Sequence, residues 1–186
     1  MTATVPAWSR LTLLLAMLCV GLPAAAVDTV VVEGGFSDGD EDAERYGAAL
    51  RWDLGGNWWR TGDWSLAAYL EASIAYWDGF KGSTGHDNLV DFGLTPVLRW
   101  QHDAGKGGIA PFAEFGVGAH GHTHSGISDE DFDIPFAFGS HLGLGARFGE
   151  QGRYELTYRF QHLSNASLGD ENPGINFHVL QLGYHF

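Results

Sequence analysis

The stretch Leu66-Ala-Ala-Tyr-Leu-Glu-Ala-Ser-Ile-Ala-Tyr76 decides the fold. Its even positions are Leu66, Ala68, Leu70, Ala72, Ile74 and Tyr76, and its odd positions are Ala67, Tyr69, Glu71, Ser73 and Ala75. Successive side chains of a strand point to opposite faces, so this segment has one wholly apolar face and one that carries a charge. It is longer than the roughly 5–6 residues usual in a soluble sheet and suits the ~9–11 that cross a bilayer at a tilt.

The same split recurs in both directions along the chain. Val90, Phe92, Leu94, Pro96, Leu98 and Trp100 oppose Asp91, Thr95 and Arg99; Tyr46, Ala48, Leu50 and Trp52 oppose Arg51 and Asp53. Further on, Phe136, Phe138, Leu142, Leu144 and Phe148 oppose His141 and Arg147. Eight such segments can be drawn, at 29–36, 44–54, 65–77, 88–101, 109–119, 135–148, 153–164 and 176–186. Their second face carries Arg51, Glu71, Asp91, Arg99, Glu114, Arg147, Glu155 and Arg159, in balanced sign. A soluble barrel would turn the apolar face inward, whereas a narrow lumen of paired charges turns it toward lipid. The expected fold is therefore all-β, an eight-stranded antiparallel transmembrane β-barrel over 27–186. Longer, more acidic connections (37–43, 78–87, 120–134, 165–175) alternate with turn-like ones (55–64, 102–108, 149–152), as external loops alternate with periplasmic turns. The alternation Leu180, Leu182, Tyr184, Phe186 resembles the C-terminal signature by which such barrels are recognised for assembly.

Residues 1–26 read as a secretory signal peptide: Arg10 is their only charge, an apolar run covers 11–22, and small residues lead to a cleavage site after Ala26. That run is too short to span a bilayer as a helix. Cys19, the one cysteine of the 186 residues, falls inside this segment, so no disulfide framework is expected. A formal net charge of −13 argues against a nucleic-acid partner. An aromatic content of 13% with 18% charged residues argues against disorder.

Chemistry concentrates at the end of the seventh segment. Its outward register runs Tyr154, Leu156, Tyr158, Phe160 and continues into His162 and Ser164. Neighbours two apart on one face let an imidazole reach a hydroxyl, the pairing that activates a serine nucleophile. Asn176 opens the eighth segment in the same register. The intervening loop supplies amides for an oxyanion and carboxylates, Asp170 and Glu171, able to orient a histidine.

The run His162-Leu-Ser164-Asn165-Ala166, followed by Asn172-Pro-Gly174-Ile175, resembles the C-terminal motif of the PagL family of outer-membrane lipid A 3-O-deacylases. Trp58-Trp59, Tyr76-Trp77 and Pro111-Phe-Ala-Glu-Phe-Gly116 extend the likeness. The resemblance implies an esterase that removes the acyl chain at the 3-O position of lipid A in the outer membrane. His162 would be the base and Ser164 the nucleophile, with Asn165 and Asn172 as oxyanion or substrate contacts and no cofactor or metal. Asn176 stands where the family's acidic third member is expected. In this it resembles outer-membrane phospholipase A, which keeps an asparagine at the same interval after the serine. Phospholipid hydrolysis, or a non-catalytic structural or adhesion barrel, stays open at this point. So does a homodimer. The implied partners are lipopolysaccharide and the lipids of the outer membrane.

Three other signals are read as structural. His120, His122 and His124 alternate in what the pattern makes a solvated loop. The acidic runs 38–42 and 129–133 lack the spacing of a calcium loop. Trp58, Trp59, Trp64 and Trp77 lie near segment ends and read as an interfacial girdle.

Overall fold

Alternating strands with one lipid-compatible face must leave no edge unpaired, because backbone groups find no water in a bilayer. The computed structural model describes residues 26–38, 43–55, 58–103, 108–170 and 173–186; the signal-peptide reading thus falls almost wholly outside them. Eight long strands follow in order: β1 (Thr29–Ser37), β2 (Glu44–Asp53), β3 (Trp64–Asp78), β4 (Asn88–His102), β5 (Ala110–His122), β6 (Phe136–Phe148), β7 (Tyr154–Ser164) and β8 (Ile175–His185). Each pairs antiparallel with its sequence neighbour, and β8 returns to β1, so the sheet closes. The expected barrel is the observed one. Two small additions lie in the connections: Trp58–Thr61 folds against β3, and Gly126–Ile127 pairs with Glu130–Asp131.

The lumen is packed in two storeys. At mid-height Arg51 bridges Glu71 (2.6 Å) and Glu155 (2.7 Å), and Arg99 bridges Glu155 (2.6 Å) and Glu114 (2.7 Å). Arg159 closes the circuit to Glu114 and Glu71, each at 2.7 Å. Each of these three arginines therefore holds two of the three glutamates, and each glutamate two of these arginines, Glu155 taking Arg147 as well at 3.5 Å, with the Tyr69 hydroxyl donating to Glu114 at 2.8 Å. Buried charges persist only when paired in this way.

Toward the long-loop end apolar side chains pack around a second buried ion group, Arg45 with Glu33 (2.8 Å) and Asp91 (3.4 Å). Trp77, Leu89, Ile127, Phe132, Leu163, Ile175 and Phe177 are all completely buried there. Ile127 and Phe132 come from the connection between β5 and β6, which folds over the barrel mouth as a cap.

Two expectations are corrected at this level. β5 runs on to His122, and its inward register buries His120 and His122. His120 Nδ1 lies 2.9 Å and His122 Nε2 3.3 Å from an oxygen of buried Asp91, so this pair belongs to the lumen and not to a solvated loop. Trp77 occupies an odd, inward position and packs on Phe177 (ring centroids 4.6 Å apart), inside the cap and not at the lipid interface. Trp58 and Trp59 are exposed and Trp64 stacks on Trp100, as outward aromatics should.

Candidate active site

β7 ends at Ser164 and β8 begins at Ile175, with a connection between them at the outer rim. Alternation divides this corner sharply. Leu163, Ile175 and Phe177 point inward and are fully buried in the apolar cap. The interleaved His162, Ser164 and Asn176 point outward and are half-buried. Burial of three large side chains immediately behind the polar ones fixes the backbone that carries them.

Register then sets the contacts. His162 lies directly across from Asn176. The His162 Nδ1–H donates to the Asn176 side-chain carbonyl at 2.7 Å. With its proton on Nδ1, the neutral ring keeps a lone pair on Nε2, the form a general base requires. Ser164 is the next outward residue on the same strand. Gly174, at φ +72°, brings the returning chain against both: a Cβ there would lie 3.0 Å from His162 Cε1 and 3.5 Å from Ser164 Cβ. The left-handed backbone and the absent side chain both call for glycine. On the opposite flank Ser140 of β6 sits directly across from His162, also half-buried. That second hydroxyl neighbour joins the corner through strand pairing alone, which the local motif did not reveal.

The loop residues divide differently from the expectation. Asn165 is fully buried; its side-chain N–H donates to the Phe132 carbonyl at 2.7 Å, and its side-chain oxygen accepts from the Ser167 amide at 2.9 Å. Its side chain clamps the cap to the site. Ala166 and Ser167 follow in left-handed conformation (φ 52° and 61°), which turns the chain sharply after the serine. Asp170 is exposed, and its amide donates to Asp133 at 2.8 Å, pinning the loop to the cap. Glu171 and Asn172 lie outside the described residues. Among the described residues no group of three or more His, Cys, Asp or Glu is arranged to hold a metal ion.

A closed eight-stranded antiparallel barrel with an apolar outer wall and a lumen of paired charges is an outer-membrane barrel in architecture. The lipid A 3-O-deacylase (PagL) family matches residues 44–185, and the chain belongs to that family. The lipid A deacylase PagL of Pseudomonas aeruginosa is 30% identical over 135 residues, 73% of this chain and 74% of its own. The lipid A deacylase PagL of Bordetella bronchiseptica is 32% identical over 133 residues, 72% of this chain and 67% of its own. The crystal structure of the outer membrane enzyme PagL superposes with a TM-score of 0.75 at 26% identity, covering 85% of this chain and 99% of that one. Neisserial surface protein A shares the fold, with a TM-score of 0.51 at 10% identity over 85% of this chain and 95% of that one.

Proposed function

We propose that this chain is a serine esterase that removes the acyl chain ester-linked at the 3-position of lipid A, from the barrel's outer wall. One observation carries the reading: the 2.7 Å bond that orients His162 on the lipid-facing surface beside Ser164, in a member of this family. His162 Nε2 takes the Ser164 proton as Oγ attacks the ester carbonyl. The tetrahedral intermediate collapses to an acyl-serine, and the same proton leaves on the sugar hydroxyl. Water then enters, with His162 again as base, and releases the fatty acid. Asn176 holds the imidazole in the required tautomer; being neutral, it adds no charge stabilisation to the imidazolium. Main-chain amides in the turn after Ser164 are the oxyanion donors that this arrangement favours. Residues 1–26 would serve as the export signal and be removed.

A glycerophospholipid ester could approach the same wall, and the neutral third residue resembles the phospholipase arrangement. Family membership favours lipid A. The deciding experiment incubates purified protein separately with lipid A and with phospholipid and measures released fatty acid. Release from lipid A, lost in Ser164→Ala and retained in Ser140→Ala, supports the proposal. Release from phospholipid alone would replace the substrate, and dependence on Ser140 would replace the nucleophile.

A further inference from the structure

Asp91 is fully buried, and three basic side chains converge on its carboxylate. His120 Nδ1 lies 2.9 Å and 3.2 Å from its two oxygens, His122 Nε2 lies 3.3 Å and Arg45 Nη1 3.4 Å away. Arg45 also holds Glu33 at 2.8 Å, and Glu33 accepts from the Gln181 side chain at 2.7 Å. The charged and titratable members thus come from β1 (Glu33), β2 (Arg45), β4 (Asp91) and β5 (both histidines). β3 and β8 add the uncharged Trp77, Phe177 and Gln181, and β6 and β7 add Gly139 and Gln161. Below them, Glu71 and His141 face Arg51, Arg159 and Glu114 of the charged circuit. Above them the cap brings Phe132, while its Asp129, Asp131 and Asp133 are exposed and Glu130 is half-buried.

Formal charge then constrains the histidine pair. Arg45 offsets one of the two carboxylates, so with both imidazoles neutral the group keeps one negative charge uncompensated away from water. One proton on the pair brings the group to neutrality, and a second would leave it positive. Burial favours the neutral count. The far nitrogens, His120 Nε2 and His122 Nδ1, have no hydrogen-bond partner among the described residues. The proton is therefore held by charge balance and not by an acceptor of its own, so it can be lost.

Both rings press on the parts that carry the candidate site. His122 packs against Trp77, with ring centroids 5.2 Å apart, and against Phe132, at 5.7 Å. The Phe132 carbonyl is the acceptor that holds Asn165, the residue after Ser164. His120 lies over Gly139, where a Cβ would come within 2.4 Å of its Nε2. Gly139 directly precedes Ser140, which sits across from His162. We propose that Asp91, His120 and His122 form a proton-operated latch: the pair holds one proton while the cap is seated, and its loss loosens the cap and the outward corner behind it. A proton bound more firmly in the folded barrel than in the unfolded chain contributes stability that is present at low pH and lost as pH rises.

Asp91→Asn removes the charge that the proton balances while keeping the shape of the side chain. NMR of histidine-labelled barrel in detergent, assigned with His120→Gln and His122→Gln, reads ring protonation from about pH 6 to about pH 9. The wild type should carry one proton on the pair at neutral pH and release it on the alkaline side, and Asp91→Asn should carry none at neutral pH. Over the same interval the wild-type thermal midpoint, followed by heat-modifiable gel migration, should fall by roughly 2–4 °C relative to Asp91→Asn. A third readout, kcat on lipid A, rests on the esterase reading above. With His162 as base, kcat should rise with pH to a plateau in Asp91→Asn, and in the wild type it should decline again several-fold as the latch opens. Two neutral rings in the wild type at neutral pH, or midpoints that run parallel in the two proteins, overturn the latch. If Asp91→Asn does not fold, the wild-type titration decides. Diverging midpoints without the alkaline decline overturn the link from the cap to the corner. A barrel that titrates as described yet hydrolyses no ester keeps the latch and overturns the proposed function.

Discussion

The lumen of this barrel is filled at mid-height by a closed circuit of three arginines and three glutamates, and at its outer end by Trp77, Phe132, Phe177 and their aliphatic neighbours. The charged storey links β2, β3, β4, β5 and β7 through interactions that are strong only while all members are present. The apolar storey reaches the candidate site directly, because Leu163, Ile175 and Phe177 alternate along the chain with His162, Ser164 and Asn176. Stability of the barrel and precision of the site therefore reside in different layers. Substitutions can separate them.

The largest effect belongs to the corner that neither storey contains. Ser164→Ala should reduce deacylation by ~10³-fold or more, with barrel folding unchanged, since its side chain packs in neither layer. His162→Ala should match it, and the double variant should be no worse than either single one. Asn176→Ala should cost ~10²-fold by freeing the imidazole to adopt the wrong tautomer. Asn176→Glu should keep the bond and retain or raise activity, because a carboxylate also stabilises the imidazolium. A silent Asn176→Ala, measured on lipid A, would move the third role to another residue.

The next two variants test the layers against each other. Phe132→Ala leaves a cavity in the cap, a change worth about 3–5 kcal/mol for a buried phenylalanine. Activity should fall several-fold as the strand ends carrying Ser164 and Asn176 loosen, while the charged circuit keeps the barrel closed. Glu155→Gln strips one carboxylate from Arg51, Arg99 and Arg147, and breaking a buried pair costs about 3–5 kcal/mol. Its thermal transition should drop with kcat nearly unchanged at temperatures where the barrel is folded. If the two variants exchanged these signatures, the division between the layers would be lost.

Much of this is legible in the alternation itself. Even and odd positions assign Arg51, Glu71, Arg99, Glu114, Glu155 and Arg159 to one face, and a narrow closed barrel leaves them nowhere to go but onto each other. The same parity turns His162, Ser164 and Asn176 outward, and hairpin pairing sets the last against the first. Register also assigns Trp77 inward; reading it by residue type as an interfacial tryptophan overrode that information. Gly118 and Gly121 weaken the strand signal before His120 and His122, so the extension of β5 does not stand out. The cap is a different case. Phe132 enters the lumen from a loop without periodicity, and Asn165 is drawn to its carbonyl by packing that local sequence does not encode. Ser140 reaches His162 only through the pairing of β6 with β7, across more than twenty residues of chain.

The proposed function assigns lipid A deacylation to the outward corner and to Ser164 within it. Mass spectrometry of lipid A from cells expressing the wild type or Ser164→Ala, with equal amounts of each in the outer membrane, tests this most directly. Lipid A lacking one ester-linked acyl chain, at the 3-position, is expected with the wild type, and intact lipid A with Ser164→Ala. Intact lipid A in both, or the same loss in both, would contradict it.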